Sequence, residues 1–285
     1  MSRRVPKTLL RYPGGKQALA PFIKELLAQN DCLGGTYVEP YAGGAGVAME
    51  LLFSGAVKYV HLNDKCPQLA AFWHSLLNET SRFARKILDV PLNIQEWFKM
   101  REIVQNPSDK DPFDVGFAFF YLNRTNFSGV VSGGIIGGIN QDGAYKMDAR
   151  FNRVRLSELA LEFELYRDAI KISALDAVDF LKYHHVLKRK KVFLYCDPPY
   201  YHKGQKLYLN AYGHDDHAAV AEVLQKKVSV PWVVSYDAEP AIVELYKDMD
   251  HFFFDLQYSA RVKTKGRELF ILGPGVKLKE KAVVL

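Results

Sequence analysis

The sequence has few cysteines and no long hydrophobic run. Its three cysteines, Cys32, Cys66 and Cys196, are far apart and form no Cys-x-x-Cys pair. This spacing argues against a disulfide framework or a zinc site and fits a reducing cytoplasm. No apolar run approaches the ~20 residues of a membrane-spanning helix. No apolar segment precedes the Pro-Gly-Gly near the N-terminus, so we expect neither a membrane partner nor a signal peptide.

Motifs for metal ions and for nucleotide phosphates are also missing. The histidines His184–His185, His214 and His217 have no consistent metal spacing with carboxylates, so no metal site is expected. The glycine-rich stretch EPYAGGAG at 39–46 is neither GxGxxG nor GxxxxGK[ST]. Taken alone, its glycines fit a plain tight turn or a close backbone approach to a ligand. Asp64 ends the next predicted strand, where a carboxylate can accept hydrogen bonds from ribose hydroxyls. The favoured ligand is a nucleoside without phosphates, and S-adenosylmethionine is a common cosubstrate of that kind.

Positive charge is present in excess and is clustered. The formal net charge is +6 over 285 residues, and the isoelectric point is about 9.0. Basic runs occur at 2–7, 150–155, 188–191 and 261–267. Such clusters are typical of nucleic-acid binding. A solvated basic surface is the alternative, since +6 is modest for this chain length.

Strand and helix patterns alternate near both ends of the sequence but not in its middle. This alternation predicts an α/β fold with a doubly wound mixed sheet formed by residues 1–79 and 165–285, closed by a C-terminal hairpin. Residues 80–164 are rich in aromatic and charged residues, and around 128–143 in glycine. We interpret them as an inserted, mainly helical lobe, large enough to fold semi-independently.

The stretch VFLYCDPPYYHKG at 192–204 predicts a catalytic site. Its apolar residues predict a buried strand, and the strand must end at Pro198 and Pro199, because neither proline has an N–H to donate. Asp197 is thereby placed at the carboxyl end of the strand, the edge at which open α/β sheets bind ligands. A plain turn explains the prolines but not the neighbouring Asp197 and Tyr200.

The same four residues suit methyl transfer to an exocyclic amine of a base. The lone pair of such an amine is delocalised into the ring, so two hydrogen-bond acceptors would be needed to direct it towards the methyl group. The Asp197 carboxylate and the Pro198 carbonyl can be these acceptors, and the two prolines fix the geometry beforehand. The Tyr200 ring offers a face on which a flipped base can stack.

Five motifs in order resemble those of the Dam-like family of DNA adenine-N6 methyltransferases, of the alpha motif order. They are RYPGGK (11–16), VEPYAGGAG (38–46), LND (62–64), YLNRTNFSG (121–129) and YCDPPY (195–200). The resemblance implies a Rossmann-like methyltransferase fold, S-adenosylmethionine as methyl donor and N6 of adenine in a specific double-stranded DNA sequence as acceptor. It also implies base flipping and a DNA-associated, cytoplasmic protein. It leaves open the target sequence, the oligomeric state and whether a restriction enzyme accompanies the protein.

The resemblance assigns roles to individual residues. The implied catalytic residues are Asp197, Pro198, Pro199 and Tyr200. The implied cofactor-binding residues are Tyr12, Gly14, Gly15, Lys16, Glu39, Pro40, Tyr41, Gly43, Gly44, Gly46, Asp64, Asp176 and Asp197. The implied DNA contacts are Arg124, Asn126, Phe127 and Ser128. Ala177 follows Asp176 where the family often has an aromatic residue against the adenine, and Phe180 is the alternative.

Two other functions share some of these sequence features. Some ribosomal-RNA base methyltransferases also carry Asp-Pro-Pro-Tyr after a glycine turn, but the N-terminal Pro-Gly-Gly-Lys and the large insert favour DNA. A non-catalytic DNA-binding protein on a methyltransferase scaffold is disfavoured by the intact glycine turn and the intact stretch from Asp197 to Tyr200.

Overall fold

A seven-stranded mixed sheet organises the chain. The computed structural model describes residues 7–12, 15–201, 212–259 and 263–279. The strands are β1 (Thr36–Glu39), β2 (Tyr59–Asn63), β3 (Ile170–Ser173), β4 (Val192–Cys196), β5 (Trp232–Asp237), β6 (His251–Ser259) and β7 (Lys263–Leu272). Their order in the sheet is β3-β2-β1-β4-β5-β7-β6. The pairs β1–β2, β1–β4 and β4–β5 are parallel, whereas β7 is antiparallel to both β5 and β6. The predicted α/β fold with a doubly wound mixed sheet and a closing hairpin is confirmed.

Ten α-helices belong to the described part of the chain. They are α1 (Ala20–Gln29), α2 (Gly46–Phe53), α3 (Pro67–Asn78), α4 (Thr80–Asp89), α5 (Ile94–Gln105), α6 (Pro112–Thr125), α7 (Arg153–Glu162), α8 (Ala177–Tyr183), α9 (His214–Lys226) and α10 (Pro240–Leu245). Among the described residues, none of the helices combines the length and the apolar character needed to cross a membrane.

The central parallel strands place their carboxyl ends along one edge of the sheet. Every residue of β4 is buried, as expected of a parallel strand covered on both faces, which reads as a continuous apolar run. The register pairs Thr36 with Tyr59 and with Val192, so β1, β2 and β4 run in step. The residues that end these strands therefore lie close together at one edge of the sheet. Ligands bind at this edge in such sheets.

The chain divides into two compact units. Unit 1 comprises residues 1–15, 43–46 and 66–174, and unit 2 comprises residues 16–42, 47–65 and 175–285. All of residues 80–164 belong to unit 1, and the prediction that they form a target-recognition lobe remains a prediction.

Each unit has its own buried core. In unit 1, aromatic side chains of α3, α4 and α6 pack together: the Phe83 ring lies 5.8 Å from that of Phe72 and 5.3 Å from that of Phe120. In unit 2, buried side chains of β4 and β5 pack with those of α8, α9 and α10. Burial of apolar area at about 25 cal/mol per Å² is the main stabilising contribution in both.

Candidate functional site

Asp197 follows the last residue of β4 and is held in place from two sides. Its Oδ1 accepts a hydrogen bond from Ser235 Oγ of β5 at 3.0 Å and lies 3.5 Å from Lys16 Nζ. The side chain remains 26% exposed, so one side of the carboxylate stays accessible. Burial raises the pKa of Asp197 to about 6, while the Lys16 ammonium lowers it and the Glu268 carboxylate raises it.

Ser235 supports Asp197 from β5, and the sequence analysis did not predict this contact. Its hydroxyl is buried and forms a 2.7 Å hydrogen bond with the Tyr195 hydroxyl in addition to the one that it donates to Asp197. Two consecutive hydrogen bonds thus connect Tyr195 on β4 with Ser235 on β5 and Ser235 with Asp197 at the end of β4. A serine inside the apolar run WVVSYD was the available signal, because buried hydroxyls need a partner.

Tyr200 is fixed through its hydroxyl group. The hydroxyl accepts a hydrogen bond from Lys16 Nζ at 3.1 Å and donates one to Glu268 Oε1 at 2.8 Å. Lys16 Nζ also forms a 2.8 Å ion pair with Glu268 Oε2 and lies 5.1 Å from the Tyr200 ring centroid. Next in the chain, the Tyr201 N–H donates to Asp237 Oδ1 at 3.1 Å. The Tyr200 ring, which is predicted to stack on a base, is thus fixed at its hydroxyl end. The backbone of the next residue, Tyr201, is fixed as well.

Glu268 was also missed from the sequence. It lies on β7 opposite Asp237 of β5 and is 2% exposed. A charged residue within the apolar stretch ELFIL signals a buried partner, because a carboxylate is costly to bury alone. The sequence alone could not identify Lys16 as that partner.

The predicted turn after β1 is supported from β2. Asn63, the buried last residue of β2, donates from its side chain to the Pro40 carbonyl at 3.0 Å and exchanges hydrogen bonds with the backbone of Leu175. Its own carbonyl accepts from the Ala42 N–H at 2.9 Å. The Tyr41 hydroxyl lies 3.3 Å from that of Tyr212. Asn63 was not among the predicted residues, although it stands within the LND motif.

Glu39 ends β1 with a buried carboxyl group. Burial raises the pKa of Glu39 to about 8, and the nearby Asp197 carboxylate adds to the rise. A hydrogen bond from the Tyr37 hydroxyl and one from the Ala48 N–H act in the opposite direction. Glu39 is therefore a largely neutral acid near pH 7, able to donate as well as accept a hydrogen bond.

Asp64 and Asp176 follow the ends of β2 and β3. Asp176 caps α8, accepting from the Val178 N–H at 2.9 Å and from Lys65 Nζ at 3.0 Å. Burial opposes its ionisation, but these hydrogen bonds leave the pKa of Asp176 below its ordinary value. Burial raises the pKa of Tyr212 to about 12, and both Asp176 and Asp64 contribute to that rise. Tyr212 therefore lies within electrostatic reach of both predicted cofactor carboxylates.

Phe180, the alternative partner for an adenine ring, is a core residue. It is fully buried, and its ring centroid lies 5.3 Å from that of His61 and 4.5 Å from that of His184. Ala177 is 4% exposed. Neither residue presents an aromatic face to a ligand.

Within unit 1, Tyr12 packs on the glycine turn. A Cβ added at Gly43 would lie 2.7 Å from the Tyr12 ring, and one added at Gly44 would lie 2.9 Å from the Tyr12 Cβ. Gly43 also has φ of +46°, so both the backbone and the packing require glycine there. The Gly15 N–H donates to the Tyr12 carbonyl at 3.0 Å. Gly46 begins α2, whereas Gly14 lies outside the described residues.

Asn126, a predicted DNA contact, is fully buried just after α6. Its Oδ1 accepts from Trp97 Nε1 at 2.8 Å, and its Nδ2 donates to three carbonyl groups, those of Val130, Val131 and Gly133. Both polar atoms of its side chain are thus engaged within the protein, and the Nδ2 bonds order the following loop.

Phe127 and Ser128 are presented outward by that loop. Phe127 is 57% exposed, and Ser128 is exposed with φ of +55°, a left-handed conformation. Asn123 of α6 supports them from beneath by donating to the carbonyls of Arg11 and Gly129, both at 2.8 Å. An exposed aromatic ring on a firmly held turn suits contact with another molecule.

Arg124 is half-buried and lies among three other arginines. Its Nε donates to the Arg150 carbonyl at 2.8 Å and its guanidinium to the Leu9 carbonyl at 3.4 Å. Burial, together with the positive charges of Arg11, Arg150 and Arg155, lowers the pKa of Arg124 to about 9. Such a concentration of like charge favours binding of an anion such as phosphate. Arg11 was missed, because an isolated arginine in RYPGGK gives no indication that it meets residues of the run 150–155.

Comparison with known proteins agrees with this arrangement. The family model described as D12 class N6 adenine-specific DNA methyltransferase matches residues 12–262. A DNA adenine methylase of Salmonella typhi is 27% identical over 249 residues, 80% of each chain. One of Vibrio cholerae serotype O1 is 27% identical over 230 residues, 77% of this chain and 76% of the relative. One of Escherichia coli strain K12 is 28% identical over 201 residues, 68% and 65% of the two chains.

The resemblance inferred from the five motifs is confirmed by the family match. Each of those motifs lies at or within the matched range, apart from Arg11. The chain belongs to the family of D12 class N6 adenine-specific DNA methyltransferases, and it is an adenine-specific DNA methyltransferase.

Proposed function

We propose that this methyltransferase transfers a methyl group from S-adenosylmethionine to N6 of an adenine in a specific double-stranded DNA sequence. The adenine is flipped out of the duplex into the site formed by Asp197, Pro198, Pro199 and Tyr200. The observation that carries the proposal is the Asp197 carboxylate, held by Ser235 and Lys16 at the end of β4 with one side accessible.

The residues present suit a nucleoside donor. Asp64 and Asp176 supply carboxylates at strand ends, suited to ribose hydroxyls, and their positions favour a ligand without phosphates. Tyr12 and the glycine turn keep their predicted role in cofactor binding. When bound, S-adenosylmethionine supplies an electrophilic methyl group on a sulfonium.

Asp197 acts on the amine of the target base. Its accessible oxygen accepts one N6–H, and the Pro198 carbonyl accepts the other, so the lone pair is turned out of conjugation and towards the methyl carbon. Bound S-adenosylmethionine would supply the methyl group by loss of its methyl carbon–sulfur bond, leaving a neutral thioether, and the amine nitrogen that accepts the methyl group would become positively charged. The amine then loses a proton, which an Asp197 carboxylate with a pKa of about 6 can take up and pass to water.

Tyr200 positions the base. Its ring is anchored through the hydroxyl by Lys16 and Glu268, and stacking of a base on an aromatic face contributes about 1–3 kcal/mol. The aromatic face is already in place before the base arrives, so little ordering is needed during the reaction.

Unit 1 supplies the DNA contacts in this proposal. The cluster of Arg11, Arg124 and Arg150 binds backbone phosphate through its concentrated positive charge, and hydrogen bonds to backbone carbonyls hold the guanidinium groups of Arg11 and Arg124 in place. Phe127 contacts bases, and Ser128 lies beside it. Asn126 acts as the support of the loop, because its side chain has no hydrogen-bonding group left for a base.

The proposal is tested by incubating the purified protein with duplex DNA and S-adenosylmethionine and sequencing the modified adenines. We expect N6-methyladenine in one short sequence context, and none without the cosubstrate. The same assay on structured RNA examines the alternative substrate class. Methylation of RNA alone, or methyl transfer to another atom, would refute the proposal.

A further inference from the structure

We propose that Glu268 is a positioning residue for methyl transfer: it holds the Lys16 ammonium and the Tyr200 hydroxyl so that Asp197 remains free to accept the amine. This inference rests on the proposed role of Asp197. Glu268 itself does not touch the base.

The first step is the competition for Lys16. Its Nζ is 2.8 Å from Glu268 Oε2 and 3.5 Å from Asp197 Oδ1, so the shorter, hydrogen-bonding distance is to Glu268. Lys16 and Glu268 have side chains only 4% and 3% exposed, and a buried ammonium needs an ionic partner. Without the Glu268 carboxylate, the Lys16 ammonium would be drawn closer to Asp197 Oδ1, from which it is already only 3.5 Å away. The closer ammonium would change the position and the charge of the carboxylate that accepts the amine.

The second step is the orientation of Tyr200. Glu268 Oε1 accepts the Tyr200 hydroxyl proton at 2.8 Å while Oε2 faces Lys16. One carboxylate therefore ties together two predicted site residues from distant parts of the sequence. Its own position is set by the pairing of β7 with β5, in which Glu268 stands opposite Asp237.

The third step is the charge around Asp197. The groups that act on it come from several elements: Lys16 before α1, Tyr37 and Glu39 on β1, Tyr195 on β4, Ser235 on β5 and Glu268 on β7. Glu268 raises the pKa of Asp197, and Lys16 lowers it. Loss of the Glu268 charge, together with a closer approach of Lys16, therefore shifts the pKa of Asp197 downwards.

The test is the pH dependence of single-turnover methylation in Glu268→Gln. The variant keeps a side-chain oxygen that can accept the Tyr200 hydroxyl but carries no charge. At saturating S-adenosylmethionine and DNA, we expect the rate at pH 8 to fall by up to about 100-fold, the loss that a misplacement of about 1 Å can cause. The acid limb of the profile should move to lower pH than in the wild type. Glu222→Gln, which removes an exposed carboxylate of α9, is the control. It should leave the rate at pH 8 and the position of the acid limb unchanged.

A purely structural role for Glu268 would lower the fraction of folded protein without moving the acid limb. A wild-type rate and a wild-type acid limb in folded Glu268→Gln would overturn the inference. If Glu268→Gln does not fold, Glu268→Asp decides: its shorter carboxylate cannot span Lys16 and Tyr200, so Lys16 should move towards Asp197, the rate should fall and the acid limb should move to lower pH. An unchanged rate in Glu268→Asp would likewise overturn the inference. Absence of methylation by the wild-type protein would instead refute the proposed function.

Discussion

Residues at this site hold one another in place, because the buried charges are paired and the hydroxyl groups are hydrogen bonded. Lys16 and Glu268 form a buried ion pair, and Asp197, Ser235 and Tyr200 are hydrogen bonded around it. A buried pair contributes little net stability, but removal of one partner leaves the other uncompensated. The order of the site therefore depends on each member being present.

Lys16→Met should destabilise the protein strongly. Because Glu268 would remain buried without its ion-pair partner, we expect a loss of about 3–5 kcal/mol in the free energy of unfolding, measured by denaturant titration. Lys226→Met removes an exposed pair with Glu222 and should cost less than about 1 kcal/mol. Equal losses in the two variants would contradict the assigned burial of the pair.

Asp64→Ala should weaken binding of S-adenosylmethionine. If the carboxylate accepts the ribose hydroxyls, the loss should be about 1.5–3 kcal/mol, the range for charged hydrogen bonds. Calorimetric titration measures this, and DNA affinity without cosubstrate should not change. Asp248→Ala, at an exposed position of the same unit, is the control. Unaltered cosubstrate affinity in Asp64→Ala would remove Asp64 from the site.

Glu39 should make stability depend on pH. Its pKa of about 8 lies above the 4.5 of an unperturbed glutamate, so the folded state binds the proton more tightly than the unfolded state. The stabilisation is complete below the unfolded pKa and is lost as the pH rises through about 8. In thermal unfolding between pH 5 and 9, the melting temperature of Glu39→Gln should increase relative to that of the wild type as the pH rises. A constant difference in melting temperature would contradict a buried, protonated Glu39.

Secondary-structure elements approach one another closely where the sequence supplies glycine. Gly116, in the interior of α6, allows that helix to lie against α3: an added Cβ would be 2.4 Å from the Ala71 carbonyl oxygen. The close contact is between the backbones of two helices, and a helix backbone cannot move at a single residue. Glycine costs about 1 kcal/mol relative to alanine in a helix interior. At Gly116 the need for close packing outweighs this cost.

Gly116→Ala should destabilise the protein despite the better helix propensity of alanine. Overpacking against backbone typically costs about 1–3 kcal/mol, which exceeds the gain in propensity. Denaturant unfolding measures the change. Gly134→Ala, where an added Cβ meets nothing within 4 Å, should be nearly neutral. Stabilisation of the Gly116 variant would mean that α3 and α6 are further apart.

Local patterns predicted most elements of the fold. Apolar residues recur at helical spacing within residues 17–28, and α1 spans Ala20–Gln29 after a 3₁₀ turn at Gln17–Leu19. Pro67 begins α3, because its missing N–H costs nothing in the first helical turn. Within residues 80–164, α6 offered no one-sided apolar pattern from which its ends could be predicted, since it is buried on nearly all sides.

The support of the site could not be predicted in the same way. Asp197 and Tyr200 stand in one motif, but Ser235 and Glu268 reach them through strand pairings that join segments 38 and 68 residues away. The antiparallel insertion of β7 between β5 and β6 decides which side chain of the C-terminal hairpin meets Lys16. A one-residue change of register would turn Glu268 to the opposite face of the sheet.

At the scale of the whole molecule, the two units have different chemistry. Unit 1 presents Phe127 and holds a cluster of arginines, and unit 2 contains the carboxylates at the strand ends. The net charge of +6 favours association with DNA. In the proposed function, unit 1 supplies the contacts with DNA and unit 2 supplies the carboxylates that act on cosubstrate and adenine.

The most direct test of this account is single-turnover methylation of duplex DNA by Asp197→Ala, with flipping followed separately by a fluorescent base analogue at the target position. Removal of one preorganised hydrogen bond to the reacting amine should slow transfer on the order of 10² to 10³-fold. Asp197→Asn should be impaired less, because its amide oxygen still accepts a hydrogen bond. Asp248→Ala should transfer at the wild-type rate. The account predicts that in Asp197→Ala the base still flips while methyl transfer stalls; near-normal transfer in that variant would contradict it.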